Sequence, residues 1–312
     1  MNTKNIIENL KINGFKNAGQ LVFSDNEKEE LSILSKNAFK LIKDTNTQNN
    51  YHKDYLKASD GFHGMMHVPQ QNIRIAKLIN KVVSNVKVCE ILEAVLGSEY
   101  KIWQVDYRIA IPGDVGLSLH QDSYGELTIS INLSNNNTGK GCTTFLAGSH
   151  LLKKNIIRCP LFITKLLSSL LTPLNSKKGD IAFFFNHTWH GRAPNKTNNS
   201  YDAILISFYP SGSSFGSDRD WSTKFIKENN NLRISQLINR SIGVIKTENG
   251  KYKVLSNSKN KNIPFVLKLH HKEVARNGAG GLKLIVTVFL FQFLNVFSKP
   301  FIFILKKIIK KY

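Results

Sequence analysis

Cysteine is scarce in this chain. Cys89, Cys142 and Cys159 are odd in number and lack paired metal-ligand spacing, which argues against a disulfide framework or a zinc ribbon and fits a reducing, cytoplasmic setting. Acidic residues are also few: 22 Asp plus Glu against 43 Lys plus Arg leave a formal charge of +21. Such an excess attracts polyanions, whether nucleic acid, anionic lipid or acidic substrates. Much of it is Lys mixed with Asn, so composition alone does not choose among them. No basic stripe interleaved with exposed aromatics falls on one predicted element, and nucleic acid is therefore not an expected partner. The N-terminal MNTKNIIENLKING has no apolar core of signal-peptide length. The uncharged run Leu284–Ser298 stops at fifteen residues, roughly 22 Å of helix against a hydrocarbon core of about 30 Å.

What the chain does have is material for a large core. Its 312 residues include 41% hydrophobic residues and 19 Phe. Residues 1–60 read as short helices and turns, with an edge strand near Gly14-Phe15 and Leu21–Phe23. In FHGMMHVP (62–69), His63 and His67 read as loop histidines, because Gly64 and Pro69 oppose a helix. From Asn72 to Leu96, Ile75, Leu78, Ile79, Val82, Val83 and Val86 keep a helical 3–4 spacing, and Gly97 supplies a stop. The period then changes. Ile102–Ile111, Leu127–Leu133, Gly141–Leu146, Ile181–Phe185 and Ala203–Tyr209 are short, β-branched and aromatic, and are separated by turn chemistry, the signature of an antiparallel barrel or sandwich. An apolar stripe over Phe162–Leu171 predicts a helical insertion at 160–173. The organisation expected is an α+β chain: helical bracing over 1–100, a β core over 101–212, a polar, loop-rich extension over 213–280, and a basic hydrophobic tail over 281–312. That tail carries six Lys and no acid from Lys283 onward. It is expected to be an amphipathic helix lying on an anionic membrane surface, peripheral rather than spanning.

The chemistry concentrates between Leu117 and Pro210. If Leu117–Asp122 is extended, His120 and Asp122 share one face while Gln121 points to the other. A second histidine returning from a later strand would complete a 2-His-1-carboxylate face, a donor set suited to Fe(II) with open positions. His187 and His190, three apart in FFFNHTWHG, are the candidates for it.

Three stretches in this order, LSLHQD (117–122), GKGCTTFLAGSH (139–150) and GDIAFFFNHTWHGRAPN (179–195), resemble the phytanoyl-CoA dioxygenase family. The resemblance covers roughly a third of the chain. It implies a double-stranded β-helix (jelly-roll, cupin-like) and a non-haem oxygenase that uses Fe(II), 2-oxoglutarate and O₂. By that resemblance His120, Asp122 and His190 are the iron ligands and the catalytic centre, the Gly191-Arg192 that follows favouring His190 over His187. Halogenating relatives lack the carboxylate; Asp122 is present, so hydroxylation is expected.

The chain departs from the family at one point. An Arg about nine to eleven residues after the second His normally clamps the distal carboxylate of 2-oxoglutarate, but Asn199, Ser200 and Tyr201 stand there. The nearest cations are Arg192 and Lys196. Arg192 is the expected substitute clamp, with a hydroxyl hydrogen bond from Tyr201. Of Trp103, Gln104, Tyr107 and Arg108, half should face the pocket. His150 and Trp189 read as a turn residue and a core residue. The tail and the charge together suggest a small-molecule, lipid or lipid-linked glycan substrate. The displaced clamp leaves a second reading, a non-catalytic β-barrel binding a sugar or an acidic ligand.

Overall fold

The computed structural model describes residues 2–47, 52–57, 63–122, 125–136, 140–151, 167–210, 221–240, 246–248 and 251–253. The first helix, α1 (Thr3–Asn13), is capped by the Asn2 side chain, which accepts from Lys4 N, and ends at Gly14 in the left-handed region. Strand β1 (Phe15–Asn17) follows as the expected edge strand, whereas Leu21–Phe23 does not join it. Helix α2 (Asp25–Thr47) runs 23 residues where the sequence suggests only short helices. Its start is a reciprocal cap in which Ser24 N donates to Glu27 Oε2 at 3.1 Å and Glu27 N donates to Ser24 Oγ at 3.4 Å. Its buried seam includes Leu31, Ser32, Ser35, Phe39 and Ile42, and the serines obscure the apolar period.

Strands β2 (Tyr55–Lys57) and β3 (His63–Met65) pair with each other and lead through the short α3 (Val68–Gln71) to α4 (Ile73–Val83) and α5 (Val86–Leu96). The expected apolar face of α4 is buried throughout, and only Val86, at the start of α5, is turned outward at 71% exposure. Asn72 and Asn85 cap the two helices, which explains the break between them.

Eight strands are then shared between two antiparallel sheets: β4 (Tyr100–Ala110), β5 (Leu117–His120), β6 (Leu127–Asn132), β7 (Thr143–Phe145), β8 (Thr172–Pro173), β9 (Ile181–Phe185), β10 (His190–Arg192) and β11 (Tyr201–Pro210). The larger sheet has the order β1-β9-β6-β11-β4-β3-β2 and the smaller one β5-β10-β7-β8. Helices α6 (Thr223–Glu228) and α7 (Arg233–Asn239) follow, and then a separate antiparallel ribbon of β12 (Lys246–Glu248) and β13 (Lys251–Lys253).

Alternation along the strands of the larger sheet divides its residues between two environments. Val105, Tyr107, Ile129, Ile131, Phe183, Phe185, Ile204 and Ile206 point outward into one core shared with α1, α2, α4, α5 and α7. The opposite face carries Gln104, Arg108, Thr128, Ser130, Phe184, Ala203 and Leu205 and lines a cavity that the smaller sheet also walls. Phe145 of β7 bridges the layers, with ring centroids 4.3 Å from Phe15 and 5.4 Å from Phe184.

Three expectations concern the remaining segments. The 160–173 insertion is not one helix: 152–166 lie outside the described residues, Ser168–Leu170 is a single 3-10 turn, and Thr172–Pro173 is strand. The polar extension, read as loops with some short helix, holds α6 and α7, and Ile234, Leu237 and Ile238 of α7 join the main core. The tail over 281–312 lies outside the described residues; among those described, no helix is long and apolar enough to cross a membrane.

Ile79 has no exposed surface beneath the larger sheet. Ile79→Ala should therefore lose about 2–5 kcal/mol of unfolding free energy in a urea titration; a loss below 1 kcal/mol would show that α4 does not anchor the outer core.

Candidate metal centre and active site

The cavity between the sheets measures about 610 Å³. On its wall, β5 and β10 run antiparallel with His190 directly opposite His120. Asp122 joins them, its carboxylate 3.6 Å from His120 Nε2 and 3.5 Å from His190 Nε2. One donor atom from each of the three residues lies within 4.8 Å of the other two, a group able to hold a metal ion. The route to this geometry differs in one respect from simple alternation. β5 ends at His120, and Asp122 is placed beyond the strand by its own backbone N–H, which donates to Asn186 O at 2.9 Å.

Both imidazoles are oriented in the same way. His120 Nδ1 donates to Ser118 O and His190 Nδ1 to Thr188 O, each at 2.8 Å. A carbonyl can only accept, so each Nδ1 carries a proton and each Nε2 faces Asp122, where it can offer a lone pair to a metal or, with none bound, a proton to the carboxylate. Two ring nitrogens and a carboxylate oxygen thus converge on one point, the arrangement a cation completes. Burial works to raise the Asp122 carboxyl, but the facing His190 and His120 and the charge of Arg108 hold it at about 2. Asp122 is an anion at neutral pH.

Gly191 has a more specific role than easing a turn. A Cβ there would stand 2.7 Å from Leu117 O and 3.3 Å from Leu119 N, so only glycine lets β10 pack this closely on β5. The other histidines fall elsewhere. His187 is buried and lies against Gln121, His150 Nε2 meets Lys11 O at 2.9 Å, and His67 Nδ1 pairs with Asp54 at 2.9 Å. Trp189 packs with Leu119 and Leu167.

The phytanoyl-CoA dioxygenase family model matches residues 27–201, which includes the whole smaller sheet, most of the larger one and the His120, Asp122 and His190 group. The chain belongs to the phytanoyl-CoA dioxygenase family. No curated protein matches the sequence. Solved structures share the fold at low identity. AviO1 from Streptomyces viridochromogenes Tue57 superposes with TM-score 0.55 at 16% identity, covering 69% of this chain and 98% of its own. SnoK, a non-heme alpha ketoglutarate dependent carbocyclase from nogalamycin biosynthesis, gives 0.55 at 14% identity over 78% of this chain and 94% of its own. EctD from S. alaskensis, solved with 2-oxoglutarate and 5-hydroxyectoine, gives 0.56 at 14% identity over 70% of this chain and 79% of its own.

In this phytanoyl-CoA dioxygenase family member, the other candidate residues separate. Arg192 lines the cavity, but one terminal nitrogen donates to both oxygens of the buried Asp114, at 2.8 and 2.6 Å. Tyr201 also lines it; burial raises its pKa, and its hydroxyl donates to Asn132 Oδ1 at 2.6 Å. Lys196 is exposed and not on the cavity wall, because the turn after β10 carries it outward. On β4 the strand parity puts Gln104 and Arg108 on the cavity side, while Tyr107 faces the helices.

Two features went unread in the sequence. Gln104, Ser207, Thr128 and Asn186 form a hydrogen-bonded row across the inner wall. Beside it Glu126 is fully buried, receiving Trp103 Nε1 at 3.1 Å and the Tyr209 hydroxyl at 3.2 Å. Burial, then the Asp122 charge, pushes the Glu126 carboxyl up to about 8, while donors from Ser207, Trp103 and Tyr209 pull the other way.

Two outcomes follow. Gly191→Ala should weaken metal binding about 10- to 100-fold by parting β10 from β5, the range seen when an orienting contact is lost; unchanged affinity in a metal titration would sink this account. The Glu126 carboxyl binds more protons folded than unfolded between its ordinary 4.5 and about 8, so its contribution to stability falls as pH rises through that window. Glu126→Gln should therefore gain Tm relative to the parent protein as pH goes from 5 to 8.5, and parallel Tm curves would contradict it.

Proposed function

We propose that the protein is an Fe(II)- and 2-oxoglutarate-dependent oxygenase that hydroxylates a small molecule, with His120, Asp122 and His190 as metal ligands. The observation that carries this reading is the convergence of two Nε2 atoms and an ionised carboxylate on one point of a cavity wall, with both Nδ1 protons committed to backbone carbonyls. That donor set, two imidazoles and one carboxylate, is the one that suits Fe(II) while leaving positions for co-substrate and O₂. When bound, iron supplies the redox chemistry that couples decarboxylation of 2-oxoglutarate to oxidation of a C–H bond.

The residues of this chain have three tasks. Ser118 and Thr188 carbonyls fix the ring orientation of the two histidines. The neutral polar row of Gln104, Thr128 and Asn186 offers donors and acceptors to whatever enters. The distal carboxylate of 2-oxoglutarate needs a cation, and the cavity presents two guanidinium groups among the described residues, Arg192 of β10 and Arg108 of β4. Hydroxylation is favoured by the presence of Asp122, the ligand that halogenating relatives lack; SnoK and SnoN, a carbocyclase and an epimerase by name, carry other outcomes on the same fold. About 610 Å³ is the volume of a small-molecule pocket, and a lipid or lipid-linked glycan would have to present only its reacting end to it.

An anaerobic titration with Fe(II) and 2-oxoglutarate tests the reading. The parent protein should develop a visible charge-transfer band, and His120→Ala and His190→Ala should retain little or no iron. A parent protein that binds neither iron nor 2-oxoglutarate would instead be the non-catalytic barrel.

A further inference from the structure

We infer that Arg108, on β4, pairs with the distal carboxylate of 2-oxoglutarate, and that Arg192 is a structural brace. This inference rests on the oxygenase reading above. The co-substrate is a dianion; one end goes to the metal, and the other carboxylate is left inside the barrel. A buried carboxylate persists only when a cation or several donors meet it. The choice therefore lies between the two guanidinium groups on the cavity wall.

Arg192 is built into the turn that precedes β5. Its partner Asp114 has no exposed side-chain surface and accepts from the same guanidinium nitrogen through both oxygens. Asp114 Oδ1 also takes Gly116 N at 2.8 Å, and Asp114 O takes Asn195 N at 2.9 Å. The Arg192 carbonyl packs where a Cβ at Gly116 would come within 2.4 Å. Arg192 and Asp114 thus tie the 111–116 turn to β10 across 78 positions of sequence. Drawing that guanidinium to another anion would pull on the turn as well as on the buried carboxylate that anchors it.

Arg108 is placed differently. It stands in a cross-strand row of Gly64, Arg108, Ala203 and Asn132 over β3, β4, β11 and β6. Its two neighbours are the smallest residues available, and a Cβ on Gly64 would already stand 3.3 Å from Arg108 Cδ. The row is a slot for one long side chain. Ala203 lies two residues beyond Tyr201, at the start of β11, where the sequence has no cation of its own; Arg108 supplies a guanidinium to that wall from the adjoining strand. Asp106, two residues earlier on β4 and as buried as Asp114, accepts from Arg108 through one oxygen at 2.7 Å and orients it, but this pair lies within one strand and ties no turn to the site. Arg108 and the metal-facing residues His120, Asp122 and His190 line the same cavity. A guanidinium has five N–H donors in a fork that matches a carboxylate, so one nitrogen can stay with Asp106 while the group engages a second anion.

Ligand truncation tests the assignment without turnover. The probes are 2-oxoglutarate and 2-oxopentanoate, which has a methyl group in place of the distal carboxylate, titrated anaerobically into the Fe(II)-loaded protein and read by the charge-transfer band. The parent protein should prefer 2-oxoglutarate strongly. Arg108→Gln should weaken 2-oxoglutarate about 10- to 100-fold, the loss of one charge-assisted pair, and leave 2-oxopentanoate nearly unchanged, so that the preference collapses. Arg108→Lys should restore part of it. Arg192→Gln should lower Tm and affect both probes alike. Preference kept in Arg108→Gln, or lost in Arg192→Gln alone, overturns the assignment and makes Arg192 the clamp. If the parent protein shows no band with either probe, the oxygenase reading fails first and this inference falls with it.

Discussion

The site depends on one cross-strand register: His190 of β10 sits directly opposite His120 of β5. Everything that gives the pair its chemistry is backbone geometry. Each ring is turned by the carbonyl two residues back in the chain, and the strands approach closely because Gly191 presents no Cβ to Leu117 O. A slip of one residue in this pairing would send one imidazole to the other face of the sheet. The Arg192–Asp114 pair and the packing of Gly116 against the Arg192 carbonyl resist such a slip from the far end of the same two strands. The register is a property of the small sheet, and the small sheet is held by the turn that feeds it.

The larger sheet does the complementary work. Its outward face is continuous with the helical core, so its strands are anchored by apolar burial. That anchoring permits an inner face that is polar and partly hollow. Thr128, Ser130, Gln104 and Ser207 would be poor choices for a packed barrel interior, yet Gln104, Ser207, Thr128 and Asn186 satisfy one another across three strands and the segment after β9. The cavity exists because stability is drawn from one side of the sheet and binding from the other.

Much of this was legible in the residues, for identifiable reasons. The helical spacing from Ile75 to Val83, the strand Ile181–Phe185 and the three ordered stretches around His120, His150 and His190 are strong local patterns, and the fold kept them. Helix α2 was missed because Ser32 and Ser35 lie in its buried seam, although Ser24-Asp25-Asn26-Glu27 spells out its cap. Arg108 was visible only as one of four residues on a strand of unknown parity; the bulge between Ser207 and Phe208 in the β11–β4 pairing is the kind of shift a sequence does not display. Asp114 read as turn chemistry, and its pairing with Arg192 joins segments that no local pattern connects. Glu126 stands just before an apolar strand, and its enclosure by Trp103 and Tyr209 comes from segments that no local pattern connects.

Glu126 also bears on why a cation would settle at a single point. The inner wall holds two carboxyl groups near one another, Asp122 and Glu126, and their environments drive them apart: Asp122 to about 2, Glu126 to about 8. At neutral pH one is an anion facing the Nε2 atoms of two imidazoles, and the other is a neutral acid enclosed by indole and phenol donors. Had both been ionised, the barrel would carry two adjacent negative charges. The burial that raises Glu126 avoids this, and the Asp122 charge reinforces it, because each proton kept on Glu126 lowers the repulsion that Asp122 would feel. The wall is therefore left with one ionised carboxyl group of this pair, the one that faces the two imidazoles.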